Sequence, residues 1–170
     1  MSKATLIIMR HAKSDWTSGA ETDFERPLAG RGRKDAPRMG KWLSKHYAIP
    51  DCIVCSPARR AVETIGLVLE KLDYPEDNVV WDDRIYDGDL SSLLDVIKDH
   101  GSAKSLMLIG HNPGLEILLH YLSVTQPDSN QDGKVLTTAA VAVLVFKDKK
   151  IVAAPDSTEI QVIQRPRELE

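Results

Sequence analysis

Short apolar runs alternate along this chain with stretches of helical periodicity, and no other feature restricts the fold so sharply. Ala4 to Met9 is apolar except for Thr5, the pattern of a strand covered on both faces. Beyond a polar stretch, Ala36, Met39, Gly40, Leu43 and Tyr47 recur at helix spacing. Cys52 to Cys55 predicts a second strand, and Ser56-Pro57 after it reads as an N-cap with proline in the first helical position. The stripe of that helix is Ala58, Ala61, Val62, Ile65, Leu69 and Leu72. Asn78 to Trp81 predicts a short strand, and Leu90, Leu93, Leu94 and Ile97 a helix. Ser105 to Ile109 predicts a strand that runs through Gly110-His111 into Asn112-Pro113, a second cap and proline, ahead of the stripe Leu115, Leu118, Leu119 and Leu122. Ala139 to Phe146 and Ile151 to Ala154 flank a polar Lys147-Asp148-Lys149-Lys150 and predict a hairpin. This order predicts an α/β protein: one domain of three layers (α/β/α), with a mostly parallel central sheet and helices on both faces.

A chain of 170 residues has length for one such domain. At this size folding buries roughly 70% of the unfolded surface, so the core needs no disulfide or metal. The domain is expected over residues 1–164, with 165–170 a flexible tail. Residues 12–30 and 125–134 lack periodicity, and loops that long inside a compact domain are usually functional or disordered. The net charge of −3 disfavours nucleic acid and anionic membrane as partners, so any anion site must be a local cationic pocket. The apolar runs fall far short of the roughly 20 residues that span a bilayer, and no signal-peptide pattern opens the chain. A cytoplasmic location is the expectation. Cys52 and Cys55 form a Cys-x-x-Cys without a second pair, and strand positions i and i+3 face opposite ways. They read as two buried structural thiols, and no metal site is expected. No exposed apolar stripe stands out, so monomer is the default.

In a parallel α/β sheet, ligands bind beyond the carboxyl ends of the strands, where helix N-termini present free N–H groups. The residues there are Arg10-His11, Ser56 with Arg59 and Arg60, the run Asp82, Asp83, Arg84 and Asp87, and His111-Asn112. Two histidines and at least two arginines on one rim suit a dianionic phosphoryl group, because guanidinium supplies a fixed fork of donors and imidazole a nucleophile or donor. Arg59 and Arg60 sit about 100° apart on a helix, so geometry leaves both open.

These residues also carry a resemblance. Leu6-Ile7-Ile8-Met9-Arg10-His11 resembles the opening signature of the histidine phosphatase superfamily, with Ala12 in place of the usual glycine. Ser56-Pro57-Ala58-Arg59-Arg60-Ala61-Val62-Glu63-Thr64 resembles its Ser-Pro-x-x-Arg-Ala-x-x-Thr block, and Leu108-Ile109-Gly110-His111-Asn112-Pro113 its second-histidine block. Glu25-Arg26-Pro27-Leu28, Met39 to Leu43 and Thr137-Thr138-Ala139 look like the short SixA-type branch, the phosphohistidine phosphatases. The resemblance implies a phosphoglycerate mutase-like fold and a hydrolase without metal or cofactor. It implies His11 as the nucleophile that takes the phosphoryl group, with Arg10, Arg60 and His111 on its oxygens; of the two adjacent arginines it selects Arg60. Arg26, in the long loop, and Asn112, beside His111, are the further substrate-binding candidates. The implied partner is a protein bearing phosphohistidine, or a small phosphorylated substrate.

A proton donor is harder to find. Mutases of the superfamily place a Glu in the loop after the third strand, whereas this chain offers Asp82, Asp83, Asp87 and Asp89 without a clear equivalent. Asp87 is the candidate acid, against a reading as loop or helix cap. A phosphoramidate leaves as imidazole and needs less help than an alkoxide, so a missing acid favours phosphohistidine. The alternatives are a small-molecule phosphomonoesterase and a non-catalytic phosphate-binding module.

Overall fold

The computed structural model describes residues 2–170. Its strands are β1 (Thr5–Arg10), β2 (Cys52–Cys55), β3 (Val80–Trp81), β4 (Ser105–Gly110), β5 (Val141–Phe146) and β6 (Thr158–Gln164). They form one sheet in the order β3-β2-β4-β1-β5-β6. The first four run parallel, and β5 and β6 are added antiparallel at one side. The helices are α1 (Gly30–His46), α2 (Arg59–Leu69), α3 (Leu90–Asp99) and α4 (Gly114–Leu122).

The continuous apolar runs of the central strands are explained by two cores, one on each face. Leu6, Ile8, Val54, Leu106 and Leu108 pack with Leu93, Ile97, Leu115 and Leu119 of α3 and α4. The alternate residues Ile7, Met9, Ile53, Met107 and Ile109 pack with Met39, Leu43, Ala61 and Ile65 of α1 and α2. This is the three-layer α/β arrangement that the alternating pattern implies. Burying each of the Val, Leu, Ile and Met side chains among them contributes about 1.5–3 kcal/mol. The two cysteines divide the same way: Cys52 packs against the first core and Cys55 lies inside the second. Helices α1 and α2 touch closely at Gly40, where a Cβ would come within 2.8 Å of the Val68 carbonyl oxygen. Among the described residues no helix is long and apolar enough to cross a membrane.

Several boundaries differ from the sequence expectation. Ser56 does not cap α2; Ala58 holds the N-cap position and the helix starts at Arg59. Asn112 does not cap α4 either: Pro113 sits at that position, and the Asn112 amide donates to Glu116 and to the Leu136 carbonyl. The partner of β5 is Thr158–Gln164 rather than Ile151–Ala154. An edge strand is only half covered, so β6 mixes Glu159 and Gln161 with its apolar residues and lacks the signal of a buried strand. Beyond Gln164, where a flexible tail was expected, Arg165 is buried. It donates to the carbonyls of Val135 and Asp128, and a single turn follows at Pro166–Glu168.

Candidate active site

Strands β1 and β4 are neighbours with Arg10 opposite Gly110, so the next residue of each chain segment meets the other. His11 and His111 stand with ring centroids 5.1 Å apart. Strand β2 lies on the other side of β4, which puts Ser56 beside them: its N–H donates to Ile109 and its Oγ is 2.7 Å from His111 Nε2. The start of α2 then delivers Arg60, which is buried, while Arg59 points to solvent and pairs with Glu63 at 3.2 Å. Helix phase thus decides between the two arginines. His11, His111 and Arg60 line one cleft of about 500 Å³ together with Arg10, Arg26, Asp87 and Asn112. All six residues named as site candidates are therefore brought together.

The hydrogen bonding sets the tautomer of His11. Its Nδ1 is 2.7 Å from the Ala12 carbonyl oxygen, which can only accept, so Nδ1 carries the proton and Nε2 keeps a free lone pair. Burial, followed by the nearby His111, Arg60 and Arg10, lowers the pKa of His11 to about 3, although the bond to Ala12 opposes this. Burial, then Arg60 and Arg10, lowers that of His111 to about 4 against the pull of Asp23. Both rings are neutral near pH 7. In native interiors buried polar atoms nearly always have partners. Of the five buried side-chain atoms without one among the described residues, four belong to this cleft: Arg10 Nε, Arg60 Nε, His111 Nδ1 and Asn112 Oδ1.

Two residues that sequence reasoning passed over complete the site. Asp23 accepts from Arg60, from Arg26 at 2.9 Å and from the Tyr86 hydroxyl at 2.7 Å. These donors, with the Tyr86 hydroxyl first, hold its carboxyl below the usual range. Only its position three residues before Arg26 in the long loop could have drawn attention to it. Tyr86 stacks edge-on to His111, with centroids 5.6 Å apart. Arg26 is buried, donates from Nε to Ser14, and lies 3.5 Å from the Trp16 ring centre. Trp16 itself is 74% exposed, so it is a rim group and not a core one.

The acids after β3 separate by role. Asp82 binds Arg84, and Asp89 caps α3 through Ser92 N–H. Asp87 alone of them lines the cleft, at φ +56°. Among the described residues no group of three or more His, Cys, Asp or Glu is placed to hold a metal ion.

The chain has relatives that bear on this geometry. A protein of Mycobacterium tuberculosis without assigned function is 32% identical over 141 residues, covering 80% of this chain and 85% of the relative. The phosphohistidine phosphatase SixA homolog of Haemophilus influenzae is 32% identical over 118 residues, 64% of this chain and 70% of that protein. The protein histidine phosphatase SixA, solved with tungstate, superposes with a TM-score of 0.80 at 22% identity over 98% of this chain and 99% of that one. That likeness places the fold as SixA-like, of the phosphoglycerate mutase-like type. Residues 6–93, which carry β1, the paired histidine's strand partner and the Arg60 helix, match the superfamily's own pattern, and the chain belongs to the histidine phosphatase superfamily, branch 1.

Proposed function

We propose that this protein is a phosphatase that works through a phosphoryl group carried on His11, and that its substrate is phosphohistidine on another protein. The observation that carries the reading is the Nδ1 contact of His11 with Ala12, which leaves a neutral, lone-pair-bearing Nε2 in a cleft of cationic and neutral donors. Nε2 attacks phosphorus in line, the bond from phosphorus to the substrate's imidazole nitrogen breaks, and the departing ring takes up a proton. Water then displaces His11 from phosphorus and releases phosphate. The transition state spreads charge over the equatorial oxygens, so the enzyme's task is positioning and electrostatic stabilisation.

Arg10 Nε, Arg60 Nε and His111 Nδ1 are the groups available to those oxygens, because each is buried without another partner. Each charge-assisted contact contributes about 1.5–3 kcal/mol. Asn112 steadies the loop through Leu136, the same carbonyl that Arg10 uses, and Arg26 adds positive charge to the cleft's wall. A dianion entering here displaces Asp23 from the arginines.

The choice of a protein substrate is supported by the exposed rim at Trp16 and Asp87 and by the similarity to SixA proteins. A small-molecule phosphomonoesterase is the second reading, favoured by Asp87, an acid on the cleft wall that an alkoxide leaving group would need. Incubation with a histidine phosphotransfer domain phosphorylated on its histidine separates them. Release of its acid-labile phosphate between about pH 6 and 8 is expected, and none in that range rejects the first reading.

A further inference from the structure

The catalytic cleft does not end at Arg10. A second cavity of about 320 Å³ adjoins it, and Arg10, Lys13 and Thr138 line both. Its outer walls come from three places far apart in sequence: Arg31 at the start of α1, Lys134 in the loop before β5, and Arg167 in the turn after β6. The protein as a whole is acidic, at −3, so this gathering of cations runs against its average charge.

The acids in the same cavity do not cancel them. Glu168 is engaged by Arg165, which is itself tied to backbone carbonyls, and Asp35 is held by Arg38 at 3.1 Å. Arg31 is 3.9 Å from Asp35 and reaches Thr138 Oγ1 at 3.4 Å. Among the described residues Lys13, Lys134 and Arg167 make no salt bridge; Asp132 makes none either and is the remaining counter-charge. Like charges gathered in a concave wall raise the local concentration of anions and are stabilised by binding one.

We infer that this basic cavity is a substrate subsite that takes a second anionic group, a carboxylate or phosphate, on the molecule whose phosphoryl group enters the cleft. The inference rests on the phosphatase reading and narrows its substrate to molecules that carry another anion beside the scissile phosphoryl group. For a protein substrate that means Asp or Glu flanking the phosphohistidine; for a small one, a second phosphate. Arg10 is the shared wall, so occupation of the subsite holds the substrate against the guanidinium next to His11.

The test is the double charge reversal Lys134→Glu with Arg167→Glu, two exposed side chains whose replacement disturbs no hydrogen bond described above. Three substrates are compared: phosphoramidate, which has no second anion, a phosphorylated histidine phosphotransfer domain with acidic neighbours, and fructose 1,6-bisphosphate. The expected result is a KM raised about tenfold or more for one of the two larger substrates, against less than about twofold for phosphoramidate. Whichever larger substrate responds names the source of the anion. Parallel changes on all three, or on none, overturn the subsite while leaving the phosphatase intact. A wild-type protein that releases phosphate from none of the three overturns the phosphatase reading, and the subsite with it.

Discussion

Asp23 holds Arg60 by two contacts, its main-chain oxygen 2.8 Å from Nη1 and its Oδ2 3.0 Å from Nη2. Asp23, from the long loop, thus holds the two terminal nitrogens of Arg60, beside the Nε that is left without a partner, and its carboxylate competes with an incoming anion for the same guanidinium. Replacing Asp23 by Asn removes the competing charge and keeps the shape. Orthophosphate is expected to bind the variant more tightly, by about three- to tenfold in a calorimetric titration. Weaker binding would mean that Asp23 orients Arg60 for the anion instead of competing with it.

Adjacent arginines should behave very differently. Arg60→Ala is expected to lower kcat/KM by about 10- to 150-fold, the equivalent of one lost charge-assisted contact. Arg59→Ala removes an exposed pair with Glu63 and should change activity by less than about twofold. His11→Ala removes the covalent route, so the alkali-stable, acid-labile phosphoryl-enzyme that an alkaline quench traps in the wild type should be absent. Equal losses at positions 59 and 60 would undo the assignment.

Stability should fall on acidification because the two imidazoles are buried neutral. Their values of about 3 and about 4 lie below the ordinary 6.5, so between these limits the unfolded chain binds protons that the folded one does not. Above about pH 6.5 neither histidine contributes; below it each adds a slope of up to about 1.4 kcal/mol per pH unit. Urea unfolding at pH 7, 5.5 and 4.5 measures this. Carboxylates add to the same trend, so His11→Gln is the control: its slope must be shallower than that of the wild type.

Ser56 is buried, and its Oγ accepts from Ala58 N–H while contacting His111 Nε2. Ser56→Ala leaves both ring nitrogens of His111 without a protein partner. A loss of about 1–3 kcal/mol in stability is expected, with kcat falling more than KM changes. Nitrogen shifts of the His111 ring, read by NMR, should move as the tautomers redistribute. Unchanged shifts together with unchanged kcat would show that Ser56 does not orient the ring.

The elements were legible wherever a segment is buried on one or both faces. The run Ile7, Ile8, Met9 and the stripe Leu115, Leu118, Leu119 are contiguous patterns that burial alone requires. Thr158–Gln164 escaped notice because an edge strand is under no such requirement, and the register of β5 with β6 is a long-range pairing. Ser56 and Asn112 were misread as caps because residue type marks only a capacity for capping. Their side chains found partners in His111 and Leu136, on segments 55 and 24 residues away.

For the site, sequence by itself determined which chemical groups follow each strand: Arg10-His11, Arg60 and His111 are ordered along the chain as the strands are. Only the tertiary structure decided that β4 is inserted between β1 and β2, which brings positions 11 and 111 within one ring's reach. It also decided that Asp23 and Tyr86 close over Arg60, and that Lys134 and Arg167 extend the positive wall beyond Arg10. The reason is physical: strand order and loop placement follow from the free energy of packing the whole chain, to which a local pattern of a dozen residues is blind.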